Sequence, residues 1–273
     1  MVNGHGAAGR GGAVQGRGGA VRGSWGWPVR AELRKLLSLP TAWVGLVLGL
    51  VAAPLLVFVS AGGTRKAIEE GFHADPSDAA FQPLGIGLLG ALILGVVVLS
   101  SEYTSTGEDA PGARQLQATL AAMPRRGRLL VAKGVALSLL VAAQGAITSV
   151  VTLTLSRMVL GDLVPAASPG RAAAVVLYWV LLGLLAYALT LIFRSGVVTL
   201  TVLIVNSSVV SVSYLLTKVT PLAAYLPDIV GAHMFLHQVG DVHIAPVTAG
   251  VVMTAWVAAL LILGGWMFRR REP

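Results

Sequence analysis

Cysteine is absent from all 273 residues, which removes disulfide scaffolds, thiol nucleophiles and cysteine-ligated zinc from consideration. Charge is scarce too. Asp, Glu, Lys and Arg make up 12% of the chain, about half the share usual in soluble domains. No GxxxxGK[ST] run occurs, so the chain has no P-loop to hold a nucleotide's phosphates and should not hydrolyse ATP itself. HExxH and GxSxG are missing as well, which leaves neither a zinc-hydrolase helix nor a nucleophile elbow.

Apolar side chains are abundant. They form 55% of the sequence and raise the mean hydropathy to +0.79. One water-soluble core cannot hide that much apolar surface, so lipid must cover the rest. Six uncharged stretches are predicted as spans: Thr41–Ser60, Leu84–Leu99, Gly134–Leu155, Ala172–Phe193, Val197–Leu216 and Val247–Phe268. Each is near the ~20 residues that a ~30 Å hydrocarbon slab requires, the second being the shortest. The expected fold class is all-α: a polytopic membrane protein with six transmembrane helices in a domain covering 41–268. Since no span holds an Asp, Glu, Lys, Arg or His, none offers the intramembrane carboxylates or imidazoles usual in proton-driven carriers.

The net charge of +8 and isoelectric point near 10.4 would suggest nucleic acid in a soluble protein. Here the basic residues sort by side. With the N-terminus inside, 15 of the 20 Lys and Arg fall in cytoplasmic segments and 5 outside, namely Arg65, Lys66, Arg157, Arg171 and Lys218. That bias places both termini in the cytoplasm, and no nucleic-acid partner is expected.

Residues 1–28 are a low-complexity Gly/Arg/Ala tail that cannot repay the entropy of folding and is expected to be disordered. Its first 24 residues lack an apolar h-region, so the first span is expected to direct insertion. Residues 29–40 (VRAELRKLLSLP) place Val29, Leu33, Leu36 and Leu37 on one helical face, predicting an amphipathic helix on the membrane surface. In the first span, Gly45 and Gly49 form a GxxxG pair suited to close helix packing. Residues 269–273 form a basic cytoplasmic end.

Three loops are expected outside. The first, 61–83, carries Glu69, Glu70, Asp75 and Asp78, and the second is 156–171. The third, 217–246, is largely apolar yet broken by Pro221, Pro227 and Pro246. It is read as a re-entrant segment before the sixth span or as a cap packed on the spans, and the residues allow both. His233 and His237 lie four apart, a spacing that on a helix can share a zinc. On a loop the pair is ordinary polar surface, and no metal ligand is assigned. The fifth span carries Asn206, Ser207, Ser208, Ser211 and Ser213. Of these, Asn206, Ser207, Ser211 and Ser213 are candidates for a substrate path or for helix packing, and Gln144 in the third span poses the same choice.

The cytoplasmic loop 101–133 is the most informative segment. Glu102 and Tyr103 sit where the second span leaves the membrane. Arg114 to Met123 then predicts a short helix with Leu116 and Leu120 one turn apart, Pro124 ends it, and Arg125, Arg126, Arg128 and Lys133 follow. A partly apolar helix tethered by short links to two spans suits docking into a groove of a cytoplasmic partner. An ordinary basic loop is the alternative.

Three stretches carry a resemblance: AELRKLLSLP before the first span, SEYTSTG after the second, and LAAMPRRGRLLVAKG leading into the third. In order and spacing the chain resembles the permease subunits of type-2 ABC transporters, the export-type ATP-binding-cassette membrane family, over about residues 29–273. The GEDAPGARQ piece departs from the simpler G-T-x-R form common there. The resemblance implies a coupling helix in the loop after the second span, with Glu102, Tyr103, Arg114, Leu116, Leu120, Pro124, Arg125 and Arg126 as the ATPase-coupling residues. It further implies a separate ABC ATPase that binds ATP and magnesium, a second permease copy or paralogue, and the bacterial cytoplasmic membrane. No cofactor is expected on this chain. Two rival functions remain: an ATP-independent secondary carrier, and a non-transporting membrane immunity or scaffold protein.

Overall fold

The computed structural model describes residues 26–72, 75–103, 126–206, 212–240 and 242–270. Among these the chain is helical throughout, with no strand. The helices are α1 (Gly26–Ser38), α2 (Pro40–Glu69), α3 (Pro76–Phe81), α4 (Leu84–Tyr103), α5 (Arg126–Leu160), α6 (Pro169–Phe193), α7 (Gly196–Asn206), α8 (Val212–Thr217), α9 (Pro227–Ala232) and α10 (Pro246–Arg270). Five runs are long and apolar enough to cross a membrane: Pro40–Glu69, Pro76–Ser101, Gly127–Leu163, Pro169–Phe193 and Pro246–Phe268. The chain is thus a multi-pass membrane protein by length and composition. α7 is apolar but only 11 residues long.

Two helices outrun their predicted spans. α2 has 30 residues and α5 has 35, or about 45 and 52 Å at ~1.5 Å per residue. Residues 61–69, expected in the first outer loop, therefore continue α2. Residues 126–133 of the expected coupling loop are the first two turns of α5, and 156–160, expected in the second outer loop, are its last. Each helix runs until a glycine takes the left-handed conformation. Gly71 has φ +76°, with the Phe72 amide donating to Ala67 O and the Gly71 amide to Ile68 O, a Schellman stop that closes α2. Gly161, at φ +62°, follows α5.

α4 and α6 form the centre of the bundle, with α2, α5 and α10 around them. Small residues let backbones approach. A Cβ on Gly90 would lie 2.5 Å from Gly45 O and 2.6 Å from Gly49 Cα, so the expected GxxxG pair of α2 seats the backbone of α4. Gly95 meets the Gly183 carbonyl in the same way. On the other side of α2, buried Gln144 donates to Gly45 O and Leu46 O, both at 3.0 Å, and Thr148 donates to Gly49 O at 3.1 Å. Gln144 is thereby a packing residue, tied to main chain inside the bundle.

These pairings fix direction. α2 and α5 run parallel, since Gly45 meets Gln144 and Arg65 donates to Val159 O at 2.9 Å. α4 and α6 run together in the opposite sense, Gly87 lying against Trp179 and Gly95 against Gly183. α10 runs parallel to α6, because Gly264 packs on Leu191 while Gly250 lines a cavity with Ala174. One end of the bundle, the foot, gathers α1, the start of α5 and the ends of α4, α6 and α10. The other, the head, gathers α3, the 161–168 link and residues 218–240 and 242–245.

Since α6 ends at the foot and α10 begins at the head, the chain between them must travel the length of the bundle. It turns sharply first. Arg194 adopts φ 54°, Ser195 Oγ accepts the Val198 amide at 3.3 Å, and Gly196 starts α7 against Ser100 of α4. It arrives at the head as the segment Pro221–Ala232. There the Tyr178 hydroxyl donates to Asp228 O at 3.3 Å and the Trp256 indole donates to Tyr225 O at 2.9 Å. Tyr178 and Trp256 are the tenth and eleventh residues of α6 and α10, so the segment reaches roughly 15 Å down from the helix starts.

Candidate functional site

The foot carries the residues nearest the expected coupling loop. Leu36 is buried on α1, while Val29 and Leu33 pack partly against the bundle; Leu37, expected on the same face, is 40% exposed. Glu32 lies three residues after Val29 and four before Leu36, on that same inward face. Its carboxylate accepts a hydrogen bond from Lys133 Nζ on α5 at 2.8 Å. Both side chains are enclosed, Lys133 at 1% and Glu32 at 8% exposure. Lys133, counted above as a cytoplasmic loop charge, is an internal cation on a helix. Two of the stretches that carry the family resemblance, AELRK and VAK, therefore meet in space.

Glu102 and Tyr103 end α4 and Arg126 opens α5, all at this foot. Arg114, Leu116, Leu120, Pro124 and Arg125 lie outside the described residues, as do Ser207 and Ser211. Of the candidate path residues, Asn206 ends α7 and Ser213 lies in α8. The Ser213 hydroxyl donates to Asn206 Oδ1 at 3.1 Å, bridging the two helices. Across the foot, a cavity of about 620 Å³ opens between α5, α6 and α10, lined by Leu130, Gly134, Tyr187, Gly265 and Trp266 among others.

The head is held by a different arrangement. Asp75 caps α3, accepting the Ser77 amide at 2.8 Å. One Asp78 oxygen takes the Arg171 guanidinium, and the other accepts the amides of His237 at 2.9 Å and Gln238 at 3.0 Å. Arg171, in the first turn of α6, also donates to the Ser77 hydroxyl at 2.6 Å and twice to Phe235 O. Its guanidinium lies 4.2 Å from the centre of the Phe81 ring. One arginine thus ties α3, α6 and the chain after α9 together. Donors from Ser77 first and from His237 second hold the Asp75 carboxyl below its ordinary range, at about 2.

Asp75, Asp78 and His237 bring three possible ligand atoms within 4.8 Å of one another. Chemistry argues against a cation there. Asp78 is already saturated by a guanidinium and two amides, and Arg171 supplies the positive charge locally. The histidine pair does not form a site either. His233 is buried, with Nδ1 3.0 Å from Ile229 O and Nε2 2.8 Å from Val242 O, while His237 Nδ1 engages Asp75. A second cavity, of about 720 Å³, lies beside this knot between α6 and α10.

Sequence reasoning missed Glu32, Lys133 and the Asp78–Arg171 knot as structural centres. A signal existed for the first, a lone acid on the apolar face of α1. Nothing local could pair Asp78 with Arg171, which are 93 residues apart. Comparison with protein-family models and with curated proteins returns no match. The site and the fold are therefore what define the chain: a multi-pass helical membrane protein, with a buried ion pair at one end and a polar knot at the other.

Proposed function

We propose that this chain is the membrane permease subunit of an ABC exporter, moving its substrate across the bacterial cytoplasmic membrane while a separate ATPase subunit hydrolyses ATP. The observation that carries the reading is the meeting of AELRK and VAK through Glu32 and Lys133, at the base of the helix into which the 104–125 segment leads. A docking segment anchored there can pass a push from a cytoplasmic partner into α1, α4 and α5 together. The absence of a P-loop in the sequence is consistent with a subunit whose energy comes from outside.

The proposal includes six crossings, with α7 and α8 forming the fifth. The parallel course of α6 and α10 supports it, since the chain must return from foot to head between them. In this reading the foot faces the cytoplasm, where the basic residues concentrate. The Pro221–Ala232 segment dips into the outer leaflet, with its backbone shielded by α6 and α10. A second permease copy or paralogue completes the assembly. ATP binding draws the ATPases together and shifts the permease between inward- and outward-facing populations by differential binding.

The test begins with the tagged chain purified from its native membranes in mild detergent. The expected result is a co-purifying P-loop ATPase, released when Leu116 and Leu120 are both changed to Asp. Purified chain that drives uphill transport in vesicles with no nucleotide-hydrolysing subunit would overturn the proposal in favour of a secondary carrier.

A further inference from the structure

Glu32 and Lys133 carry charges that water solvates far better than a protein interior does. Lys side chains extend readily to an interface, and Arg30 and Arg34 on the same short helix are exposed. Instead the two charges face inward and close on each other at 2.8 Å. Desolvating a pair costs most of what its attraction returns, so such a pair contributes little net stability but strongly favours one register over its neighbours. The apolar part of the contact is thin: Leu36 is buried, and Val29 and Leu33 are only partly covered. A 13-residue helix is also too short to persist alone in water.

We infer that the Glu32–Lys133 pair is the latch that fixes α1 on the base of α5, and that a push on α5 from a cytoplasmic partner thereby reaches α2. Lys133 is the eighth residue of α5, about 10 Å along the helix from Arg126. α1 is separated from α2 only by Leu39, so the latch couples the entry to α2 with the entry to α5. Glu32 and Lys133 are thus positioning residues, acting through the helices they hold. The second half of the inference rests on the ABC reading; the first half does not.

The absence of cysteine allows a direct test, since L36C gives the full chain a single thiol at a position 3% exposed. Maleimide labelling of L36C in nanodiscs then reports how often α1 lifts away. Adding E32Q or K133M is expected to speed labelling about tenfold or more, and the swap E32K/K133E to restore it to within about twofold of the parent. E32A/K133A removes both charges without putting an apolar contact in their place, and it too should expose the thiol. Unchanged labelling in both single variants, or full protection in E32A/K133A, would overturn the latch, because the apolar packing already present would then suffice. For the second half, the variants that free α1 should keep their ATPase partner but lose ATP-driven export. Full export from them overturns that half. A wild-type chain that binds no ATPase overturns the ABC reading, and with it that half only, leaving the labelling result intact.

Discussion

The foot and the head of the bundle solve the same problem in different ways. Each must hold a short helix against long ones where charges lie close to apolar packing. At the foot, one carboxylate and one ammonium group close on each other in the interior. At the head, Asp78 and Arg171 serve a whole set of groups: two backbone amides, the Phe235 carbonyl, the Ser77 hydroxyl and the Phe81 ring. A pair can be exchanged for another pair. A hub that also satisfies backbone has no apolar substitute, because the amides and carbonyl would be left unmatched.

The contrast is broken or sharpened by substitution. The largest effect is expected for D78A, which takes the carboxylate from a part-buried guanidinium and leaves two amides unmatched, and should cost about 3–5 kcal/mol. Thermal unfolding in nanodiscs would show it as the deepest loss, and D78L/R171L should not recover it. K133M strands the buried Glu32 and should fall at or below the low end of that range, ~3 kcal/mol, whereas E32L/K133L should recover part of that loss in global stability. Recovery in D78L/R171L, or none in E32L/K133L, would erase the distinction between hub and pair.

Between the two ends, Q144L should cost only ~1 kcal/mol. It removes two hydrogen bonds to carbonyls that lie within α2, and interhelical bonds of this kind average about 0.6 kcal/mol each. Smallest is H237A. Its bond to Asp75 is open to solvent, with the two side chains 48% and 28% exposed, so a loss of about 0.2–1 kcal/mol is expected. Acidity provides a further check on the head. Asp75 is held at about 2, below its unfolded value, so its ionised form adds stability that is complete above the ordinary carboxylate range and disappears as pH falls toward 2. A scan from pH 7 to 5 should therefore show no change due to Asp75, and a scan from 4 to 2 should show a falling midpoint that D75N flattens.

Much of the bundle was legible before any coordinates. Five of the six expected spans coincide with long helices, because an uncharged run near 20 residues has few other fates. The GxxxG pair did predict close packing, since only glycine lets the α4 backbone come so near. Helix ends were read less well. Ala61–Glu69 was expected in a loop, yet its charges and its Gly62–Gly63 pair do not stop α2, which runs on to the left-handed Gly71. For the candidate site, the sequence pointed to the basic, proline-punctuated loop 101–133, most of which lies outside the described residues, and gave no sign of the contact between Glu32 and Lys133. Lys133 reads locally as one more loop cation, and only its distant partner makes it internal.

Composition and hydropathy by themselves determined that the chain is helical and belongs in a bilayer, since local physics requires apolar backbone to satisfy its own hydrogen bonds there. The tertiary structure alone decided that α6 and α10 run the same way, that Glu32 finds Lys133, and that Asp78 finds Arg171. Those outcomes depend on contacts between residues 73 to 101 positions apart, which no local pattern of spacing encodes.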